Sequence, residues 1–167
     1  LRWARRVEGG CRRAAWRGDR VACATPTDLY VWDAAGALVL HVAGVTRDGG
    51  GMGALAWSPD GARVALGVQN GVRLVAIAGA PRDLAAPAQR VMALAWVDGR
   101  RIAVAGSTGR SFVLDAASGA VVAEGPAAPT TVRSIAATPD GALVAVGSND
   151  HQVRLWRAAD GSLVRLL

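Results

Sequence analysis

The sequence predicts an all-β protein assembled from four copies of one unit of about forty residues. Two independent markers keep this period. The corner glycines recur at intervals of 43, 38 and 42 residues, at Gly18, Gly61, Gly99 and Gly141. The residues that end the third apolar segment recur at 43, 39 and 42 residues, at Trp32, Val75, Leu114 and Trp156. The apolar segments between turns hold about five to seven residues, which is too short for ordinary helices and typical of strands.

The last copy shows the unit most clearly, in the stretch SIAATPDGALVAVGSNDHQVRLW that begins at Ser134. Its apolar segments cover residues 132–138, 143–148, 152–156 and 162–166. Between them lie Pro139-Asp140-Gly141, Asn149-Asp150 and Asp160-Gly161, which are residue types that favour turns. The copy therefore predicts four short antiparallel strands.

The second strand of each copy alternates a larger apolar residue with a smaller one, as in Val144-Ala-Val-Gly-Ser, and neither face is polar. A strand buried on both faces has this composition. Four-stranded units stacked face to face around an axis form a β-propeller. We therefore expect residues 1–10 to be a linker or the end of a preceding blade, followed by four blades at 11–45, 46–86, 87–126 and 127–167.

The PDG corner, VAVGSND and VRLW resemble the WD-repeat (WD40) propeller family from about Cys11 to Leu167. The resemblance implies a tetrad in each blade: a histidine before the first strand, a serine or threonine in it, an aspartate in the second turn and a tryptophan in the third strand. Ser134, Asp150 and Trp156 match three of these positions, and Trp32 matches in the first copy. No copy has all four residues, so we expect apolar stacking to contribute more than this polar network.

Rings of this family most often have seven blades, so four blades imply an open arc of a larger propeller. We expect this arc to be the C-terminal portion of a longer propeller, completed by further blades from the same chain or another. A closed four-blade ring is the alternative.

The charge is concentrated at one end of the chain. All 19 basic residues are arginine, which excludes lysine nucleophiles and Schiff bases. Residues 1–20 hold seven arginines and two acids, whereas the remainder holds twelve arginines and eleven acids. The net charge of +6 therefore describes the N-terminal stretch and does not favour nucleic acid as a partner.

Few residues are suited to catalysis. We expect His41 to face solvent and His151 to lie in a turn, and we predict no metal site and no cofactor. Cys11 and Cys23 fit no zinc spacing and are interpreted as small apolar residues in strands. The glycine run 49–51 is interpreted as a flexible link. Five tryptophans occupy repeated positions, and we expect all five in the core: Trp16, Trp32, Trp57, Trp96 and Trp156.

These observations favour a non-catalytic protein-interaction scaffold or sensor module over an enzyme or a cofactor-binding propeller with a site in the central channel. The first strands carry no carboxylate or histidine that would face such a channel. Bacterial chains of this repeat type resemble sensor regions of signalling ATPases or kinases, which is an analogy of fold alone. No apolar run reaches membrane-spanning length, and we expect a cytoplasmic protein.

Partners of the family often bind at the rim where each first strand begins. The matching positions in the blades at 11–45, 87–126 and 127–167, with one turn residue, are Arg12, Arg90, Met92, Thr131, Arg133 and Asn149. In the second blade they are Gly51 and Gly53. Arginine forks bind carboxylate and phosphate groups with two hydrogen bonds. The sequence therefore predicts that this rim binds an acidic or phosphorylated peptide.

Overall fold

The computed structural model of the chain describes residue 4, residues 6–45 and residues 54–167. None of these residues forms a helix, and they form fourteen strands. The strands are β1 (Arg13–Arg17), β2 (Arg20–Ala24), β3 (Leu29–Asp33), β4 (Leu38–Val42), β5 (Leu55–Trp57), β6 (Arg63–Ala76), β7 (Arg82–Trp96), β8 (Arg101–Gly106), β9 (Ser111–Asp115), β10 (Val121–Glu124), β11 (Val132–Ala137), β12 (Leu143–Ser148), β13 (Val153–Arg157) and β14 (Leu163–Leu166).

The first and last blades are four-stranded antiparallel sheets in sequence order, β1 to β4 and β11 to β14. In the last blade each strand begins and ends within one residue of its predicted segment. The corner glycine Gly141 has a φ of 67°, a value that favours glycine. The turn chemistry read from the sequence therefore places the strands correctly.

The middle of the chain forms one six-stranded sheet in the order β10-β9-β8-β7-β6-β5. An extended β6 of 14 residues would span about 45 Å. However, the Ile77 amide donates to the Ala62 carbonyl at 2.9 Å, so the ends of β6 meet. Asn70, near the middle of β6, has a φ of 62°. The strand therefore folds back on itself and supplies two strands of the second blade.

Strand β7 joins two blades. Its N-terminal arm pairs with the second arm of β6, and its C-terminal arm pairs with β8. Gln89 has a φ of 54° between the two arms. The second blade is therefore β5, both arms of β6 and the first arm of β7, and the third blade is the second arm of β7 with β8, β9 and β10.

Three apolar clusters fill the spaces between consecutive blades. Between the third and last blades, Ala103 and Ala105 of β8 meet Val144 and Val146 of β12. Small residues thus face the following blade and larger ones face the preceding blade, as the alternation predicts. The all-β propeller architecture is confirmed, and the four blades do not form one closed sheet among the described residues.

The residue boundaries assigned to the blades stay a prediction. The glycine run 49–51 that was interpreted as a link lies outside the described residues.

Two expectations about apolar residues in the first blade are wrong. Cys11 and Cys23 form a disulfide, with their Cα atoms 5.7 Å apart. Two residues separate Cys11 from β1, and β2 returns antiparallel beside β1, so pairing places both cysteines side by side. Trp16 is 62% exposed rather than buried, because no described sheet covers its side of the first blade.

Candidate functional site

A chain of hydrogen bonds crosses from the third blade to the last and joins four of the predicted rim residues. The Ser107 amide donates to the Arg90 carbonyl at 3.0 Å, and the Thr131 hydroxyl donates to the Ser107 carbonyl at 3.0 Å. The Asn149 amide donates to the Thr131 carbonyl at 3.1 Å, and Arg133 Nε donates to Asn149 Oδ1 at 3.1 Å. We call the joined residues the rim cluster: Arg90, Ser107, Thr131, Arg133 and Asn149.

The turn that carries Asn149 is held by a buried ion pair. Arg154 Nη2 lies 2.6 Å from Asp150 Oδ2, and the side chains are only 9% and 12% exposed. Asp150 also accepts hydrogen bonds from the Ser148 hydroxyl and the Gln152 amide. The Arg154 guanidinium, followed by the Ser148 hydroxyl, lowers the pKa of Asp150 to about 2. The carboxylate therefore stays charged at neutral pH and fixes the turn.

The tetrad that the family resemblance implies does not assemble in the last blade. Asp150 bonds to Arg154 and Ser148, while Ser134 lies exposed with its Oγ beside Gly147. Trp156 is fully buried, yet its Nε1 has no hydrogen-bond partner among the described residues. The reason is steric: the Trp156 ring packs so close to Gly125 that a Cβ there would lie 2.5 Å from Cε2.

Trp32 in the first blade is also buried, and it stacks at 5.6 Å on Tyr30. Its role is therefore apolar packing.

The remaining predicted rim residues are placed as follows. Arg12 is exposed immediately before β1, and its amide donates to the Ala24 carbonyl at 2.8 Å. Met92 is half-buried in β7, two residues after Arg90. Gly51 and Gly53 lie outside the described residues.

Sequence reasoning missed two residues of this site, Ser107 and Arg154. Ser107 lies 42 residues before Asn149, which is the spacing of Leu114 and Trp156, so the repeat period would have found it. Arg154 occupies a position that is apolar in the third blade, where Phe112 stands. An arginine at a core position indicates a buried ion pair, because an unpaired buried charge is costly.

His41 is not a freely solvated residue, as the sequence suggested. Its Nε2 lies 2.9 Å from Asp28 Oδ2, and its ring stacks on Tyr30 at 4.3 Å. The hydrogen bond from His41, followed by one from the Gly44 amide, lowers the pKa of Asp28. No side chain with a nucleophilic hydroxyl or thiol is bonded to His41 among the described residues, so the group ties β3 to β4 and to the turn at Gly44.

Other acidic residues serve the corners between strands. Asp60, Asp98, Asp140 and Asp160 each accept a backbone amide two residues ahead. Within the described part of the chain, no group of three metal-ligating side chains occurs, and no helix is long and apolar enough to cross a membrane.

A model of the WD domain, G-beta repeat (WD40) matches residues 121–157, the stretch that includes the rim residues of the last blade. The chain is 32% identical over 115 residues to WD repeat-containing protein SL1-17 of Schistosoma mansoni, covering 66% of this chain and 38% of the relative. The chain belongs to the WD-repeat family. The period, the corners and the alternation described above are the family's, and the missing tetrads are this chain's departure from it.

Two solved WD40 structures show the same fold. The C-terminal WD40 domain of Sif2 is 16% identical with a TM-score of 0.78, and the match covers 94% of this chain and 46% of that one. Chaetomium thermophilum Sqt1, bound to the N-terminus of the ribosomal protein L10, is 23% identical with a TM-score of 0.78, covering 93% of this chain and 48% of Sqt1. This WD-repeat chain therefore spans about half the length of those two structures and a smaller share of SL1-17.

Proposed function

We propose that this WD-repeat chain is a non-catalytic interaction scaffold or sensor module of a larger protein, and that its rim cluster, together with Arg12 and Met92, binds an acidic or phosphorylated peptide. The observation that carries the proposal is the hydrogen-bond chain from Arg90 to Arg133, which spans two blades. It groups two exposed arginines with polar side chains on one rim.

The chemistry of the rim suits a ligand that accepts hydrogen bonds. Arg133 uses Nε to bond Asn149, and its two Nη groups have no hydrogen-bond partner among the described residues. Because that bond occupies Asn149 Oδ1, the Nδ2 group of Asn149 is the part left to donate. A carboxylate or phosphate accepts several such bonds at once. The half-buried Met92 adds an adaptable apolar contact.

A solved neighbour gives the proposal a precedent for the class of partner. Sqt1 is described in complex with a segment of another protein. This precedent concerns Sqt1, and its low identity to our chain transfers only the fold. The choice of an acidic or phosphorylated segment rests on the arginines of this chain.

The test measures the binding of synthetic peptides by fluorescence anisotropy. The probes are an aspartate- and glutamate-rich peptide, the same peptide with one phosphoserine, and a version with the acids replaced by alanine. Changing Arg12, Arg90 and Arg133 together to alanine should weaken binding of the acidic peptides and flatten its salt dependence. Thermal stability should change little, because these side chains are exposed.

The matched control changes Arg20, Arg157 and Arg165 to alanine, which removes the same charge from other parts of the first and last blades. Equal weakening by both triple variants would mean that net charge attracts the peptides and that the rim is not the site.

We also propose that the four blades are part of a larger propeller, completed by further blades from the same or another chain. The partial coverage of Sif2 and Sqt1 supports an incomplete ring. The cytoplasmic location expected from the sequence stays a prediction.

A further inference from the structure

A tryptophan hydrogen bond recurs between the inner strands of consecutive blades. Trp57 Nε1 donates to the Ala15 carbonyl at 3.0 Å, and Trp96 Nε1 donates to the Ala56 carbonyl at 3.4 Å. Each tryptophan ends the first strand of its blade. Each acceptor lies one residue before the equivalent position in the preceding blade, where Trp16 and Trp57 stand. The blade that follows therefore donates to the blade that precedes it.

Trp16 has the same position in the first blade, where the described residues contain no preceding blade. Its side chain is 62% exposed, whereas Trp57 is 8% exposed. Its indole N–H donates instead to the Gly18 carbonyl of its own corner, at 2.7 Å. Trp16 is thus a large aromatic side chain, at a position built for a partner blade, that lies in solvent.

The opposite end of the arc carries the matching acceptor. Ala136 in β11 is the residue that corresponds to Ala15 and Ala56, and it is exposed. Beside it on the same face lie the small residues Ala145 and Gly147, both partly exposed. Their counterparts in β8, Ala103 and Ala105, are fully buried under the last blade. The last blade therefore presents a surface shaped for a following blade.

We propose that a second copy of this chain docks head to tail on the first, with the Trp16 indole of one copy donating to the Ala136 carbonyl of the other. Two arcs that each cover 46% and 48% of the Sif2 and Sqt1 structures together have about the length of one ring. The inference rests on the open-arc part of the proposed function and commits that part to a second copy. It does not depend on what the rim cluster binds.

An arginine at the start of the second strand marks how such a joint can be strengthened. Arg63 Nη2 donates to the Gly99 carbonyl at 3.0 Å, and Arg101 Nη2 donates to the Gly141 carbonyl at 3.3 Å, each in the next blade. Leu143 holds this position in the last blade. The corresponding acceptor is the Gly18 carbonyl, which Trp16 releases when it docks. The joint between copies therefore lacks a bond that a single substitution should supply.

The experiment is sedimentation equilibrium of the whole chain over a wide concentration range. We expect a dimer of the 17.1 kDa chain. Trp16→Ala should weaken dimerisation by roughly thirtyfold or more, as loss of an interface tryptophan does. Leu38→Ala is the control, because Leu38 is 56% exposed on the outer strand β4, away from the inner-strand joint. Its dimerisation should be unchanged, and both variants should keep the wild-type melting temperature.

A mixture distinguishes a head-to-tail joint from a symmetric contact through Trp16. Ala136→Arg should block the acceptor end, so that this variant and Trp16→Ala each fail to dimerise alone. Mixed in equal amounts, they should associate again, because one intact Trp16 meets one intact Ala136. A symmetric contact would give no recovery in the mixture, and that outcome overturns the proposal.

Leu143→Arg supplies the missing donor and should tighten dimerisation by roughly tenfold, the size of a hydrogen bond from a charged group. Arginines flank both surfaces, among them Arg17 and Arg157, so added salt should strengthen the association. A monomer at every concentration and salt overturns the proposal, as does a dimer that survives Trp16→Ala. Peptide binding by the rim is measured separately in Trp16→Ala, so failure of the joint and failure of the rim remain distinguishable.

Discussion

The third and last blades are built from the same strands but differ in what covers them. In the third blade Ala103, Ala105 and Val113 are fully buried, because the last blade packs on them. The corresponding residues of the last blade, Ala145 and Leu155 among them, are partly exposed. The two blades present the same kind of small-residue surface, and only the presence of a neighbour decides whether it becomes core.

The two blades also differ inside. The third blade places Phe112 and Leu114 against the second, so its interior is apolar. The last blade places Arg154 and Trp156 at those positions, with Arg154 paired to Asp150. One backbone repeat is therefore stabilised in two ways, by apolar packing alone or by a tryptophan with a buried ion pair.

The largest expected effect breaks this comparison at the third strand. Trp156→Ala should destabilise the chain by about 3–5 kcal/mol, and Leu114→Ala by less, because the tryptophan leaves the larger cavity. Both side chains are fully buried. Urea denaturation gives the two free energies of unfolding. Trp156→Phe should cost much less than Trp156→Ala, since Nε1 has no partner to lose among the described residues. A loss in Trp156→Phe as large as in Trp156→Ala would show that the indole N–H is bonded.

The second prediction sharpens the contrast between a covered and an open face. Ala103→Val adds two methyl groups where the last blade already packs and should cost about 1–3 kcal/mol. Ala145→Val makes the same change on the open face and should shift stability by less than about 0.5 kcal/mol. Thermal melts of dilute samples, below the concentration at which copies associate, measure both. Equal losses would indicate that the face of Ala145 is covered in the isolated chain.

The smallest effect concerns the ion pair that only the last blade has. Arg154 lowers the pKa of Asp150 to about 2, below the ordinary aspartate value of about 4. A folded-state pKa that is lowered gives stability above the unfolded-state pKa, and this stability is lost as the pH falls through the folded-state value. Wild type should therefore lose stability relative to Asp150→Asn between about pH 4 and pH 2. Parallel profiles in urea titrations across that range would mean that Asp150 is not paired in solution.

Much of the rim was accessible from the sequence because it follows the repeat. Thr131, Arg133 and Asn149 were selected by position, and they lie on one hydrogen-bond chain. Ser107 has the same periodic signal and was overlooked. By contrast, the Arg154–Asp150 pair depends on which side chain reaches the carboxylate first, and a family pattern that assigns Asp150 to a tetrad gave the wrong partner.

The repeat period, the turn residues and the alternation of large and small apolar residues determine the strands and the stacking order of this chain, because these properties are local and recur every forty residues or so. The sequence could not show that Cys11 meets Cys23, that Trp16 lies in solvent or that Trp156 has no acceptor. Each of these depends on where a distant strand or a neighbouring blade lies. A side chain at a repeated position is buried only if the next blade is present, and that information belongs to the tertiary structure.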